Sequence, residues 1–592
     1  MTMSLPKSAE LSTSRMEYAQ AFSPFLEQIY PGLDLQNFFD KLAPVLEAHP
    51  LNFRGEIPER WDESKIFLIT YGDSLLKSKT ASGSKLKWLL NFLQNYWAET
   101  ISCVHVLPFF PFSSDDGFSI IDYRQVREDL GTWDDIAAIA KQFDVMCDLV
   151  INHMSSRSEY FQQFLEQKAP GKDFVFTVDT TDGYENVVRP RSSPFVTPYE
   201  TSDGIKQVWT TFSPDQIDWD FRNPDVLIEL IDILLGYCQH GCNFIRLDAI
   251  GYLWKKPGTS CIHLNETHAV VQLLNRVLQV TYPEVSVITE TNVPNPENLS
   301  YFGQRDEAHL IYNFSLPPLL LNALMRGEAK HLRTWLMSMP PALSGFTYFN
   351  FTASHDGIGL RPTEGLLAAE EFNQLVKTMK GFGGRISMRK HPDGSETPYE
   401  LNISWFDAMQ GTTSGPDQWQ RQRFLCSQSV MMSIEGIPAF YIHSLLATPN
   451  DQEQAEATGM NRRINRHQWD LEELEALIAD PESDQTWVKE HLQEMIQIRK
   501  KQPAFHPNAT QFTMNLHNPA VLGLWRQSLD RTQSIFSLHN LSDRTQEIPL
   551  REINLICIDV WSDLLQPNQP IKAEETLTLD PYQTAWITNR AF

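Results

Sequence analysis

Basic residues are scarce in this sequence. Forty-nine Lys and Arg stand against 74 Asp and Glu, giving a formal net charge of −25 and a pI near 5.1. A field of that sign repels nucleic acid and anionic membrane surfaces, so neither is expected as a partner. Any anionic substrate must be captured by local Arg or Lys against the overall field. Long apolar runs are missing too. The most apolar helix-like stretch, Val226 to Leu235, is broken by Glu229 and Asp232, which argues against a membrane span. Met1 to Gln20 carry Ser, Thr, Glu and Lys, with no apolar run of signal-peptide length. Cysteine is sparse and odd in number, at 103, 147, 238, 242, 261, 426 and 557. Cys238 and Cys242 have no second Cys or His pair at zinc spacing and read as small helix or helix-end residues. Reduced thiols in a cytoplasmic protein are the expectation. Internal repeats, low-complexity tracts and coiled-coil heptads are absent from the sequence.

What is present is apolar in short pieces. Of 592 residues 42% are hydrophobic, with 15 Trp and 34 Phe, enough for a large globular domain plus smaller modules. Short apolar runs start near Ile66, Val104, Val145, Phe244, Val285, His309, Phe349 and Pro438. Helix-period segments fill most of the gaps. Near-continuous apolar strands alternating with helices indicate a parallel sheet, and eight of them predict a TIM barrel, an α/β (β/α)8 fold. Residues 1–62 are polar and helix-prone and read as an N-terminal helical extension; 63–505 form the catalytic barrel. Two stretches, about 154–215 and 360–430, are too long for ordinary loops and read as inserted subdomains, lid or acceptor site. Val488, Leu492, Met495 and Ile496 share one helix face that closes the barrel. Residues 506–592 change to short alternating runs, the mark of a C-terminal antiparallel β-domain.

Three strand ends carry carboxylates. Phe244-Ile245-Arg246-Leu247-Asp248 places Arg246 and Asp248 on one face, since side chains two apart on a strand point the same way. Val287-Ile288-Thr289-Glu290 and Phe351-Thr352-Ala353-Ser354-His355-Asp356 repeat the design. Three carboxylates at three strand ends suit sugar-acetal chemistry. Two flank the scissile bond, and a third holds the substrate while positive charge develops. Taken singly, each could equally be a structural Asp or Glu at a strand-to-loop turn; the ordered set favours chemistry.

These segments resemble the α-amylase superfamily of glycoside hydrolases, and within it the sucrose phosphorylase group. Four superfamily signatures stand in order: Asp148 to His153, Ile245 to Asp248, Thr289 to Asn292, and Ala353 to Asp356. Leu107-Pro108-Phe109-Phe110-Pro111, Asp115 to Phe118, Arg189-Pro190-Arg191, Gly258 to Cys261 and Arg463 to Arg466 mark the subgroup. The N-terminal extension and Pro398-Tyr399-Glu400-Leu401-Asn402 look more like its longer members, glucosylglycerate and sucrose 6'-phosphate phosphorylases.

The resemblance implies a role for each residue. Asp248 is the nucleophile, Glu290 the acid/base, and Asp356 the carboxylate that grips glucosyl hydroxyls, with His153 and His355 alongside. Arg246 is expected to lower the pKa of Asp248 and keep it ionised. Asp115 and Arg466 are expected to close the glucose pocket as a pair. Phe118 and Phe212 are its apolar walls, or else plain core residues. Gln216 is a sugar contact, or a turn residue beside Asp215. Arg191 is the leading phosphate ligand, because Arg meets phosphate with a planar fork. Arg189, Arg385, Arg389, Lys390 and His391 add positive charge, either as a solvated loop or as a site for an anionic acceptor. Tyr252, Tyr399 and Glu400 are acceptor contacts by position alone.

The expected activity is that of a retaining α-glucoside phosphorylase, giving α-glucose 1-phosphate plus acceptor, with inorganic phosphate as co-substrate and no cofactor. Fructose, fructose 6-phosphate, glycerate and glycerol remain open as acceptors, the basic lid favouring an anionic one. A hydrolase or transglucosidase would use the same three carboxylates. A non-catalytic amylase-like subunit would have lost one of them. Many amylases hold Ca²⁺ at the residue matching Asn152; the acidic cluster this needs is not evident in 154–215, so no metal is expected. A homodimer is common on this scaffold.

Overall fold

The protein is described from a computed structural model covering residues 7–51, 59–77, 83–190, 193–390, 395–553, 555–556, 560–567 and 570–590. All eight expected strands form: β1 (Phe67–Thr70), β2 (Cys103–Val106), β3 (Asp144–Val150), β4 (Cys242–Asp248), β5 (Ser286–Thr289), β6 (Leu310–Tyr312), β7 (Thr347–Phe351) and β8 (Ile437–Tyr441). They close into a barrel in sequence order, with β1 beside β8. The pairings are parallel, as with Arg246 opposite Asp148 across β4 and β3, and Phe349 opposite Ile437 across β7 and β8. A parallel barrel carries the carboxyl ends of its strands on one rim, where its chemistry sits. Nearly every strand residue is buried, which is why these strands read as continuous rather than alternating apolar runs.

The approach to β4 shows how local sequence sets the fold. Helix Pro224–Gln239 starts with Asn223, whose side chain accepts the Asp225 N–H at 3.0 Å, and with Pro224 in the first turn. Val226, Leu227, Leu230, Ile231 and Leu234 are buried, and each such side chain contributes roughly 1.5–3 kcal/mol. The helix ends at Gly241 (φ 94°), a left-handed position that glycine tolerates. Cys242 therefore opens strand β4 and is not the helix-end residue expected from its spacing to Cys238. The six cysteines among the described residues are buried thiols outside any disulfide; Cys557 lies outside them.

The chain divides into two compact units, one of residues 1–60, 106–291 and 297–311, the other of 61–105, 292–296 and 312–592. In the first, helix Lys7–Ile29 packs on helix Asn265–Thr281, and helix Leu35–Glu47 on Pro224–Gln239. The first long insertion builds a three-stranded antiparallel sheet from Thr177–Val178, Val196–Thr201 and Gly204–Trp209. Its core joins Phe176, Tyr184 and Trp209 to Cys261. In the second unit, the later insertion supplies helix Ala369–Gly381 and a hairpin, Arg385–Lys390 with Glu396–Asn402, joined by Ile358–Gly359. Beyond Thr510 a six-stranded sheet encloses Leu516, Phe536, Leu538, Trp561 and Ile587. Fully buried Arg526 fastens this sheet, donating to the carbonyls of Ser433 (3.0 Å) and His506 (2.8 Å). Ser433 ends helix Gln420–Ser433, where a cation complements the helix dipole. Among the described residues no helix is long and apolar enough to cross a membrane.

Candidate active site

Strand register brings the first charges together. Arg246 sits opposite Asp148 on the neighbouring strand and two residues before Asp248 on its own. One nitrogen, Nη1, donates to Asp148 Oδ1 at 2.6 Å and to Asp248 Oδ1 at 2.7 Å. Asp148 and the guanidinium are buried; the Asp248 side chain keeps 11% exposure. Sequence reasoning expected Arg246 to depress the Asp248 pKa. Arg246 and His153 do pull the Asp248 carboxyl down, but burial outweighs them and leaves it above the usual range. Burial is the largest cause, and the second carboxylate on the same cation, Asp148, adds to it.

The next residue turns the chain. Ala249 is left-handed (φ 52°), and its N–H donates to Glu290 Oε2 at 3.2 Å. The Glu290 N–H in turn donates to the Leu247 carbonyl at 3.1 Å. The loop after β4 thus fixes the carboxylate that follows β5. A non-glycine residue held at positive φ stores strain, as is common where a site dictates the backbone.

Most other expected residues of this unit converge here. Asp115 lies in a short turn in which Asp115 and Asp116 are both left-handed (φ 54° and 50°). Gln216 Nε2 donates to Asp115 Oδ2 (3.2 Å) and the Phe118 carbonyl (3.3 Å), and lies 3.1 Å from His153 Nε2. Gln216 is no loose turn residue: it opens a short strand, Gln216–Asp218, paired with His153–Ser155, and is buried. His153 Nε2 contacts the Phe118 carbonyl at 2.7 Å. The Phe212 ring lies 5.2 Å from His153 and 5.5 Å from Tyr252, and the Arg246 guanidinium lies 5.6 Å from the Phe118 ring.

Several residues were missed from sequence, Asp215 and Lys255 among them. Asp215 receives the hydroxyls of Ser113, Ser114, Ser119 and Ser156. Burial would raise its pKa, but these hydroxyls hold it below the usual range and tie the Asp115 turn to the Gln216 strand. Lys255, three residues past Tyr252, is buried. Its ammonium sits 2.6 Å from Asp218 Oδ2 and 3.2 Å from Asn152 Oδ1. Asp218 also accepts the Thr211 N–H at 2.8 Å. Asn152 is the residue that would donate oxygen to a Ca²⁺, and these oxygens do not fit one because a tethered cation already uses them. Lys255→Met is expected to lower stability by about 3–5 kcal/mol, the cost of stranding a buried carboxylate. Denaturant unfolding checks it, and a loss under 1 kcal/mol would count against the pair.

In the other unit, Asp356 follows β7. Its Oδ1 is held by Arg462 Nη1 at 2.6 Å, with Arg466 Nη2 at 3.8 Å; His355 Nε2 is 3.5 Å from Oδ2. Arg466 also donates to the His355 carbonyl at 2.7 Å, and its guanidinium lies 5.6 Å from the Tyr71 ring. Arg462 was not singled out from sequence, although it immediately precedes the quoted Arg463 to Arg466 run. Glu400, expected to touch the acceptor, is 2% exposed and gives both oxygens to Arg462. Tyr399 beside it lines a cleft of about 470 Å³ with Arg361, Arg389 and Phe372. Arg385 is engaged by Gln452 and Glu456, and Arg189 donates to the Ser193 carbonyl. Arg191 and His391 lie outside the described residues, as does the Lys390 side chain.

Residues 90–356 match the alpha amylase catalytic domain family. The chain belongs to the α-amylase family, within its sucrose phosphorylase group. It is 42% identical over 536 residues to the glucosylglycerate phosphorylase of Spirochaeta thermophila, covering 89% of this chain and 90% of that protein. It is 38% identical over 573 residues to the glucosylglycerate phosphorylase of Escherichia coli, covering 96% and 100%. The crystal structure of sucrose 6F-phosphate phosphorylase from Thermoanaerobacter thermosaccharolyticum matches with a TM-score of 0.70 at 27% identity, over 83% of this chain and 96% of that one.

Proposed function

We infer that this chain is a retaining α-glucoside phosphorylase that splits a glucoside of an anionic acceptor, glycerate in the first place, with phosphate. The likeness to glucosylglycerate phosphorylases over nearly the whole chain carries this reading. The strand-end carboxylates supply the chemistry. Asp248 attacks the anomeric carbon as the glycerate oxygen leaves with a proton from Glu290. The resulting β-glucosyl ester is opened by phosphate, Glu290 acting as base, so two inversions give net retention. Asp356 holds ring hydroxyls, with His355 and His153 hydrogen-bonding alongside. Asp115 and Arg466 close the pocket, Phe118 and Phe212 wall it, and Gln216 braces Asp115. Tyr252 and Tyr399 face the acceptor, and Arg191 takes phosphate.

The enzyme acts as a hexosyltransferase. No metal takes part in this reading, in keeping with the Lys255 ammonium at Asn152, and no organic cofactor is needed. A cytoplasmic homodimer completes the proposal; light scattering on the purified protein reads the assembly.

A synthesis-direction panel tests the activity. Purified protein and α-glucose 1-phosphate are given glycerate, fructose 6-phosphate, fructose, glycerol or water alone, and phosphate release is followed. The expected result is release with glycerate at least about tenfold faster than with any other acceptor, a gap of roughly 1.4 kcal/mol. Equal release in every tube, water included, would mark a hydrolase and overturn the phosphorylase reading.

A further inference from the structure

We propose that Arg462 is a positioning residue that ties the lid hairpin to Asp356, so that the orientation of this carboxylate depends on the seating of the hairpin. The proposal rests on the reading of Asp356 as the carboxylate that holds the glucosyl ring. Glu400 is the hairpin's anchor. It lies on strand Glu396–Asn402, and its buried carboxylate makes two kinds of contact with the segment around Asp356. Its Oε1 accepts the Gly357 N–H at 3.0 Å, fixing the main chain just after Asp356. Both oxygens then receive Arg462, Nη2 at 2.8 Å and Nε at 3.2 Å, a planar two-point fork. The remaining nitrogen, Nη1, reaches Asp356 Oδ1 at 2.6 Å.

Backbone packing makes the arrangement tight. A Cβ on Gly357 would stand 2.5 Å from Glu400 Cγ and 2.7 Å from the Leu401 carbonyl oxygen, so only glycine lets the hairpin come this close. One lid carboxylate therefore holds Asp356 twice, through the peptide that follows it and through the guanidinium that grips its side chain. Arg462 occupies one oxygen of Asp356 and leaves Oδ2 toward His355, which sets which lone pairs remain for sugar hydroxyls. The hairpin also carries Tyr399, Arg385 and Arg389. Displacing it moves Glu400, and with Glu400 the arginine that orients Asp356. Lys at 462 would keep the charge but could not span two carboxylates in one plane.

The test compares kcat and KM for the wild type, Arg462→Gln, Arg462→Lys, Glu400→Gln, the Arg462→Gln/Glu400→Gln double variant, and Asp356→Asn. Rates are measured with α-glucose 1-phosphate and the best acceptor of the panel, and circular dichroism confirms folding. A misplaced catalytic group costs up to about 100-fold. Arg462→Gln is therefore expected to lower kcat between about tenfold and 100-fold, with the acceptor KM changed less than about threefold. Arg462→Lys, the variant least disruptive to folding, is expected to recover only part of that loss. The double variant is expected to be no slower than Arg462→Gln, because both changes break one chain of contacts. Wild-type kcat in both Arg462 variants, or a loss confined to acceptor KM, would overturn the proposal while leaving the role of Asp356 intact. Wild-type activity in Asp356→Asn would instead remove the reading on which the proposal rests.

Discussion

Asp248→Asn is expected to lower turnover by at least about 10⁴-fold, the scale seen when a nucleophile is removed from a covalent mechanism. The amide is nearly isosteric and still offers an oxygen to Arg246 Nη1, now 2.7 Å from Asp248 Oδ1. It cannot form the glucosyl ester, so the first displacement is lost and not merely slowed. Folding should survive. Arg246 keeps its bond to Asp148 at 2.6 Å, and burial already works against the charge on Asp248. Two measurements check the claim together. Phosphate release from α-glucose 1-phosphate reads the rate, and intact-mass analysis of acid-quenched enzyme reads a bound glucosyl group. Activity within tenfold of wild type, or a glucosyl adduct on the variant, would remove Asp248 from its role. Loss of activity with loss of fold would be seen in the thermal melt, and Asp248→Glu then supplies the test: it keeps the charge but displaces the attacking oxygen by one methylene.

The parts of the site legible from spacing alone are those written within one strand. The alternation Arg246-Leu247-Asp248 fixes two charges on one face whatever the rest of the fold does. The barrel could be counted because its strands are buried on both faces and interrupted by amphipathic helices. Pairs made across the chain left no such mark. Lys255 and Asp218 meet in space, 37 positions apart, and neither sits in a periodic pattern. The serines around Asp215 come from two separate loops, so nothing near Asp215 announces them. Arg462 reads as part of a basic run until Glu400 and Asp356 are seen on either side of it. Cys242 was misplaced because spacing to Cys238 suggests one helix, whereas Gly241 ends the helix between them. Arg246 does lower the pKa of Asp248, as its position two residues back implies, but the sequence does not show the burial that outweighs it.

The sharing of Arg246 between Asp148 and Asp248 makes Arg246→Gln the second substitution with a large effect, on stability and on pH dependence at once. The change strands two carboxylates, Asp148 and Asp248, whose side chains are 0% and 11% exposed. Removing one partner from a buried ion pair costs about 3–5 kcal/mol, and a shared cation belongs at the upper end of that range. The sign of the pH effect follows from the direction of the shift. Burial raises the folded-state pKa of Asp248 above its unfolded value, and Arg246 opposes the rise. Losing Arg246 raises it further. Between the unfolded and folded values the native state then holds more protons than the unfolded chain, so stability falls as pH rises through that window. The destabilisation should accordingly be larger at pH 7 than at pH 5, which urea unfolding at the two pH values reads directly. Catalysis requires the ionised nucleophile, so the acid limb of kcat/KM follows the same group in the free enzyme. In the variant that limb is expected at higher pH than in the wild type. An unmoved limb would mean that a group other than Asp248 controls it, even if the loss of stability is as large as expected.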